Sequence, residues 1–92
     1  MMKAGGVPSI DLVDVIDALQ RLLAKHRGNS AVFRPKDIAK ILDLPQNGYY
    51  YGLVNQYLRV LEERGYIEVY KNKKSVKYMI TRNSPLWPKV QT

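Results

Sequence analysis

Asn55, Gln56 and Arg59 are neighbours in the chain, and all three carry side chains that form two-pronged hydrogen bonds with base edges. An arginine forks onto the two acceptors of guanine, and Asn or Gln spans the acceptor and donor of adenine. Just ahead of them Tyr49, Tyr50 and Tyr51 stand together, followed by Gly52. A tyrosine hydroxyl reaches phosphate and its ring touches a thymine methyl, while a glycine lets a helix approach closely. Further on, Lys71, Asn72, Lys73, Lys74 and Lys77 offer positive charge for a phosphate backbone, as do Arg34 and Lys36 at the start of another segment. Lysines at a hairpin tip also protect sheet edges, and Arg34 and Lys36 could equally be ordinary surface charge.

Other chemistry finds little support. There is no cysteine, hence no thiolate nucleophile, disulfide or thiolate metal site. The single histidine, His26, is placed to cap a helix C-terminus. Asp11, Asp14 and Asp17 recur at three-residue spacing, which suits a solvated helix start better than a metal site. No glycine-rich phosphate loop occurs. We therefore expect no enzyme, no catalytic residue, no cofactor, no metal and no small-molecule substrate.

The charge distribution agrees with a polyanion partner. The 92-residue chain has a net charge of +7, and residues 71 to 92 hold Lys71, Lys73, Lys74, Lys77, Arg82 and Lys89 without one acid. Acids collect in Asp11, Asp14 and Asp17 and in Glu62, Glu63 and Glu68. The length predicts one domain with a marginal core, and the 46% hydrophobic content fits a folded chain. No apolar run reaches the roughly 18 residues of a membrane span, and residues 1 to 8 lack a signal peptide's apolar stretch. A soluble, cytoplasmic protein is expected.

The elements that must hold these residues follow from periodicity. Leu12, Val15, Ile16, Leu19, Leu22 and Leu23 predict a helix capped by Ser9 or Asp11, ending near His26 with Gly28 as its stop. Ile10 and Val13 widen its apolar stripe. "SAVF" (30–33) predicts a short strand. "PKDIAKILDL" predicts a second helix opened by Pro35, with Ile38, Ala39, Ile41 and Leu42 inward. After a turn from Leu44 to Gly48, a third helix starts between Asn47 and Gly52 and ends at Arg64, with Gly65 as a left-handed stop. Val54, Tyr57, Leu58 and Leu61 face inward. Three adjacent tyrosines cannot share one helix face, so Tyr50 or Tyr49 is expected to pack beneath the turn with the others outward; the alternative is that all three pack in an unusually long turn. Beyond Gly65 the period becomes two: "YIEVY" and "SVKYMIT" form a hairpin with a basic tip at "KNKK". Ile67 and Val69 share one face of its first strand, and Val76, Tyr78 and Ile80 share one face of its second.

Helix, strand, helix, turn, helix, hairpin is an α+β order with the layout of a winged helix-turn-helix: three helices plus a two- to three-stranded wing. "DIAKILDL … GLVNQYLRVLEERGYIEVY" resembles the winged-helix DNA-binding regulators of bacteria and archaea. "GLVNQYLRVLEERG" is most similar to their PadR-like branch, and small archaeal plasmid and viral winged-helix proteins are similarly short. The resemblance implies that the third helix enters the major groove with Tyr49, Tyr51, Gly52, Asn55, Gln56 and Arg59 toward DNA, and that the wing lies on the backbone. Residues 1–8 are expected to be frayed, 9–82 to form the DNA-binding domain, and 83–92 to be a tail. Leu86 and Trp87 in that tail need cover, as does the wide stripe of the first helix at Leu12, Val15 and Leu19. A homodimer face would answer for all of them; the alternative is that Trp87 folds back on its own domain. The expected function is sequence-specific binding of double-stranded DNA in transcription regulation. A plasmid-partition protein that spreads from a centromere-like site, a protein-interaction module and sequence-indifferent chromatin packing are the alternatives.

Overall fold

Asp11 opens the first helix, α1 (Leu12–Ala24), by a reciprocal cap. Its carboxylate accepts from the Asp14 amide at 3.3 Å, and the Asp14 carboxylate accepts from the Asp11 amide at 3.0 Å. The computed structural model describes residues 9–71 and 76–88, with only the backbone of Lys71. Val15, Ala18, Leu19 and Leu23 are the buried stripe of α1. The helix stops at Ala24, short of the expected His26, and Gly28 is not left-handed. The His26 ring instead places Nε2 2.6 Å from the Ser30 carbonyl oxygen, which turns the chain into β1 (Ser30–Phe33).

The second helix, α2 (Pro35–Ile41), begins where proline costs no hydrogen bond. It is shorter than "PKDIAKILDL" suggests because Asp43 adopts φ 59°. The amides of Asp43 and Leu44 then bond back to Lys40 and Ala39 at 3.0 and 2.9 Å, a Schellman closure that swings Leu44 into the core. The third helix, α3 (Gly48–Glu63), starts after Asn47, whose side-chain oxygen accepts from the Tyr50 amide at 3.1 Å. It closes in the same way as α2. Gly65 takes φ 81°, and the amides of Gly65 and Tyr66 bond to Glu62 and Leu61, both at 3.0 Å.

Two further strands, β2 (Glu68–Lys71) and β3 (Val76–Thr81), complete an antiparallel sheet of order β1-β3-β2. Register pairs Phe33 with Tyr78 and Ala31 with Ile80 on one side of β3, and Val69 with Tyr78 on the other. The architecture among the described residues is thus α+β, three helices against a three-stranded sheet. One core joins them: Ala31, Phe33, Tyr78 and Ile80 from the sheet meet the buried stripes of α1, α2 and α3. Ile67 is buried just before β2, whereas Val69, expected to share its face, and Val76, expected to share a face with Tyr78 and Ile80, are exposed. The two valines sit toward the turn end of the hairpin, where they line an open cleft against α3.

The tail corrects the expected dimer face. Trp87 is 6% exposed because its own chain covers it. The His26 ring meets it edge-on at 5.9 Å, and the Arg82 guanidinium lies 5.3 Å above it. Gln20 donates to the Leu86 carbonyl at 3.3 Å, and Leu86 is also buried. Val15 and Leu19 have no exposed surface at all. These four therefore have little or nothing to offer a second chain; Leu12 is half-buried on the same core. Of the wide apolar stripe, Val13 alone faces outward fully, at 71% exposure. Among the described residues no helix is long and apolar enough to cross a membrane.

Candidate nucleic-acid interface

Along α3, Tyr49, Gly52, Gln56, Arg59 and Glu63 are all exposed. At 3.6 residues per turn they fall within a stripe about 80° wide. On the opposite side Tyr50, Val54, Leu58 and Leu61 are buried, and that side packs on α2 and the core. From Tyr49 to Arg59 the stripe runs about 15 Å, enough to lie in a groove about 12 Å wide. Glu63 ends it with a negative charge, which confines any anion contact to the first three turns.

The three tyrosines divide as the helical spacing requires. Tyr50 is 3% exposed and serves the core; burial, with Tyr49 beside it, pushes its phenol above the usual tyrosine range. Tyr49 is 65% exposed and meets the Tyr50 ring edge-on at 4.8 Å. Tyr51 is half-buried, and its hydroxyl donates to the Gln46 side-chain oxygen at 2.9 Å. It shares a shallow apolar depression with Pro35, Val76 and the two cations Arg34 and Lys36.

Asn55 departs from the expected outward stripe. It is half-buried and turned toward the hairpin, where its side-chain oxygen accepts from the Tyr78 hydroxyl at 2.6 Å. Tyr78 is itself 1% exposed and stacks on Phe33 with ring centroids 6.1 Å apart. Asn55, Arg59 and Glu62 form one wall of a cleft of about 290 Å³ and Val69, Val76 and Tyr78 the other. Burial pushes the Tyr78 phenol above its ordinary range, Arg59 pulling the other way and Glu62 adding to the rise. Tyr78 belongs to this site and was read from sequence only as a strand residue. Alternation placed it on one face with Val76 and Ile80, but nothing in the sequence says which α3 residue lies across from it.

The remaining cations are less uniform than expected. Arg34 is half-committed: its guanidinium bonds the Asp37 carboxylate at 3.3 and 3.4 Å, so part of its charge is answered within the chain. Lys36 is exposed and forms no ion pair among the described residues. The helix behind them has only seven residues, too short to add a strong dipole. Lys77 alternates away from Tyr78, onto the sheet face turned from α3, and lines a depression with Val32, Arg34 and Asp37. It joins Arg34, and the sheet separates it from the α3 stripe. Asn72, Lys73 and Lys74, and the side chain of Lys71, lie outside the described residues. Among the described residues no cluster of metal-ligating side chains occurs. Compared with known proteins, the chain matches no family model and no curated protein.

Proposed function

We propose that this protein is a winged helix-turn-helix that binds double-stranded DNA sequence-specifically as a homodimer, as a transcription regulator. One observation carries the reading. A 16-residue helix presents an uncovered stripe of Tyr49, Gly52, Gln56 and Arg59 while its far side is sealed into the core. In helix-turn-helix proteins the second helix of the motif meets base edges with its N-terminal residues. Here α2, the Leu42–Asn47 turn and α3 occupy those places. Lys36 and Tyr51 stand beside the N-terminal end of α3, where a phosphate backbone would pass. The net charge of +7 supplies the non-specific attraction that any such protein needs.

The test is selection of bound duplexes from a random pool. A two-fold symmetric motif with half-sites about one DNA turn apart is expected. Arg59→Ala then weakens binding to that motif by about 1–3 kcal/mol while leaving binding to random DNA nearly unchanged. Recovery of no motif, or equal losses on both DNAs, refutes the reading. A protected region that grows with protein concentration would favour the partition role over the regulator.

A further inference from the structure

The bond between Tyr78 and Asn55 does more than join β3 to α3. Tyr78 is sealed from solvent, so its hydroxyl proton needs an acceptor inside the protein. Among the described residues the side-chain oxygen of Asn55, at 2.6 Å, is the one within bonding distance. Turning the carboxamide over would let Nδ2 donate to the phenol oxygen but would leave the buried hydroxyl proton without an acceptor. The amide is therefore held with its oxygen inward. Its Nδ2 group, for which the described residues provide no partner, is not sealed from solvent, and Asn55 lines the cleft together with Arg59.

An asparagine that reads adenine needs both ends of its amide, the oxygen to accept from N6 and the nitrogen to donate to N7. With its oxygen turned inward onto Tyr78, Asn55 has the nitrogen to give at the cleft. Arg59, one helical turn on, is also a donor without an acceptor. We propose that Tyr78 is a specificity-positioning residue: by fixing the Asn55 amide it makes this edge of α3 donor-only, so that Asn55 and Arg59 select guanine, the base with two major-groove acceptors, over adenine or cytosine. This rests on the DNA-binding reading above and adds to it a base class and the residue that sets it.

The experiment is random-pool selection with the wild-type chain, Asn55→Ala, Asn55→Asp and Tyr78→Phe, with thermal melting to confirm folding. The base pair whose preference Asn55→Ala erases should carry guanine in the wild type, favoured over cytosine at least about fivefold. Asn55→Asp keeps an oxygen for the Tyr78 hydroxyl and replaces the outward donor with an acceptor, so cytosine should be preferred there. Tyr78→Phe frees the amide to turn, and adenine should rise to within about twofold of guanine at that one position. A protein that merely lost stability would lose affinity for all sequences alike. The inference is overturned if Asn55→Ala erases no preference, if the erased base is adenine or cytosine, or if Asn55→Asp and Tyr78→Phe leave the preference unchanged. Should Tyr78→Phe not fold, Asn55→Asp decides alone, because it retains the buried bond. A wild-type chain that enriches no sequence removes the DNA-binding reading itself. An enriched motif with the wrong base at the Asn55 position overturns only the present inference.

Discussion

The Tyr78 hydroxyl is held where ionisation is unfavourable, by burial first, with the Glu62 carboxylate reinforcing and the Arg59 guanidinium opposing. A phenol whose folded value lies above its unfolded value of about 10 retains its proton better in the native state. Its contribution is complete below that value and falls away as pH rises through the folded value. Urea unfolding at pH 9 and at pH 11 should therefore show a loss of stability at the higher pH. Tyr78→Phe should reduce that loss, and an equal loss in both proteins would refute the assignment. At this scale the sequence was partly legible. Gln56 and Arg59 could be placed outward because helical spacing alone decides it. Asn55 could not, because its orientation depends on a hydroxyl from a strand that tertiary packing brings across. The ion pair of Arg34 went unread for a related reason: the sequence shows the cation and, three residues on, Asp37, but not that the two close on each other.

Helix ends govern which residues each element presents. The α2 and α3 closures share one hydrogen-bond pattern, yet a left-handed aspartate supplies the turn in one and a glycine in the other. Gly65 could be read as a stop because glycine accepts positive φ without strain; Asp43 carries no such mark, so α2 was expected to run on. Nothing lies within 4 Å of where a Gly65 side chain would begin, so a substitution there meets conformational strain alone. Gly65→Ala should cost about 1 kcal/mol in chemical denaturation, with little change in the denaturant slope. The start of α3 was left open between Asn47 and Gly52, because the turn between Leu44 and Val54 is longer than the usual few residues. The cap at Asn47 settles the phase of the helix and hence which tyrosine is buried.

Seen as a whole, the molecule measures 42 × 38 × 22 Å, so its long face is little more than one turn of B-DNA. A single copy on that scale covers a half-site, which is the sense in which the proposal calls for two. The described tail is bound into this body. Replacing Trp87 removes a ring that meets His26 and Arg82 and lies over the core. Trp87→Ala should lower stability by about 3 kcal/mol, read as a shifted urea midpoint; a change below about 1 kcal/mol would mean the tail is not part of the fold. The layer order was legible from periods of 3.6 and 2, but the destination of Trp87 was not. A short proline-flanked segment has no period, and its apolar groups look the same whether they seek a partner or their own core.

The sheet order has a consequence for how the chain is made. Ser30 finds its ladder partner in Thr81, and β3, the central strand, is the last of the three in sequence. On the ribosome β1 therefore emerges before its one ladder partner, β3, and waits unpaired while α2, α3 and β2 follow. The helices, whose contacts are local, gather first. Only once the stretch from Val76 to Thr81 has left the exit tunnel can one strand pair with both others, and that pairing also brings Tyr78 to Asn55.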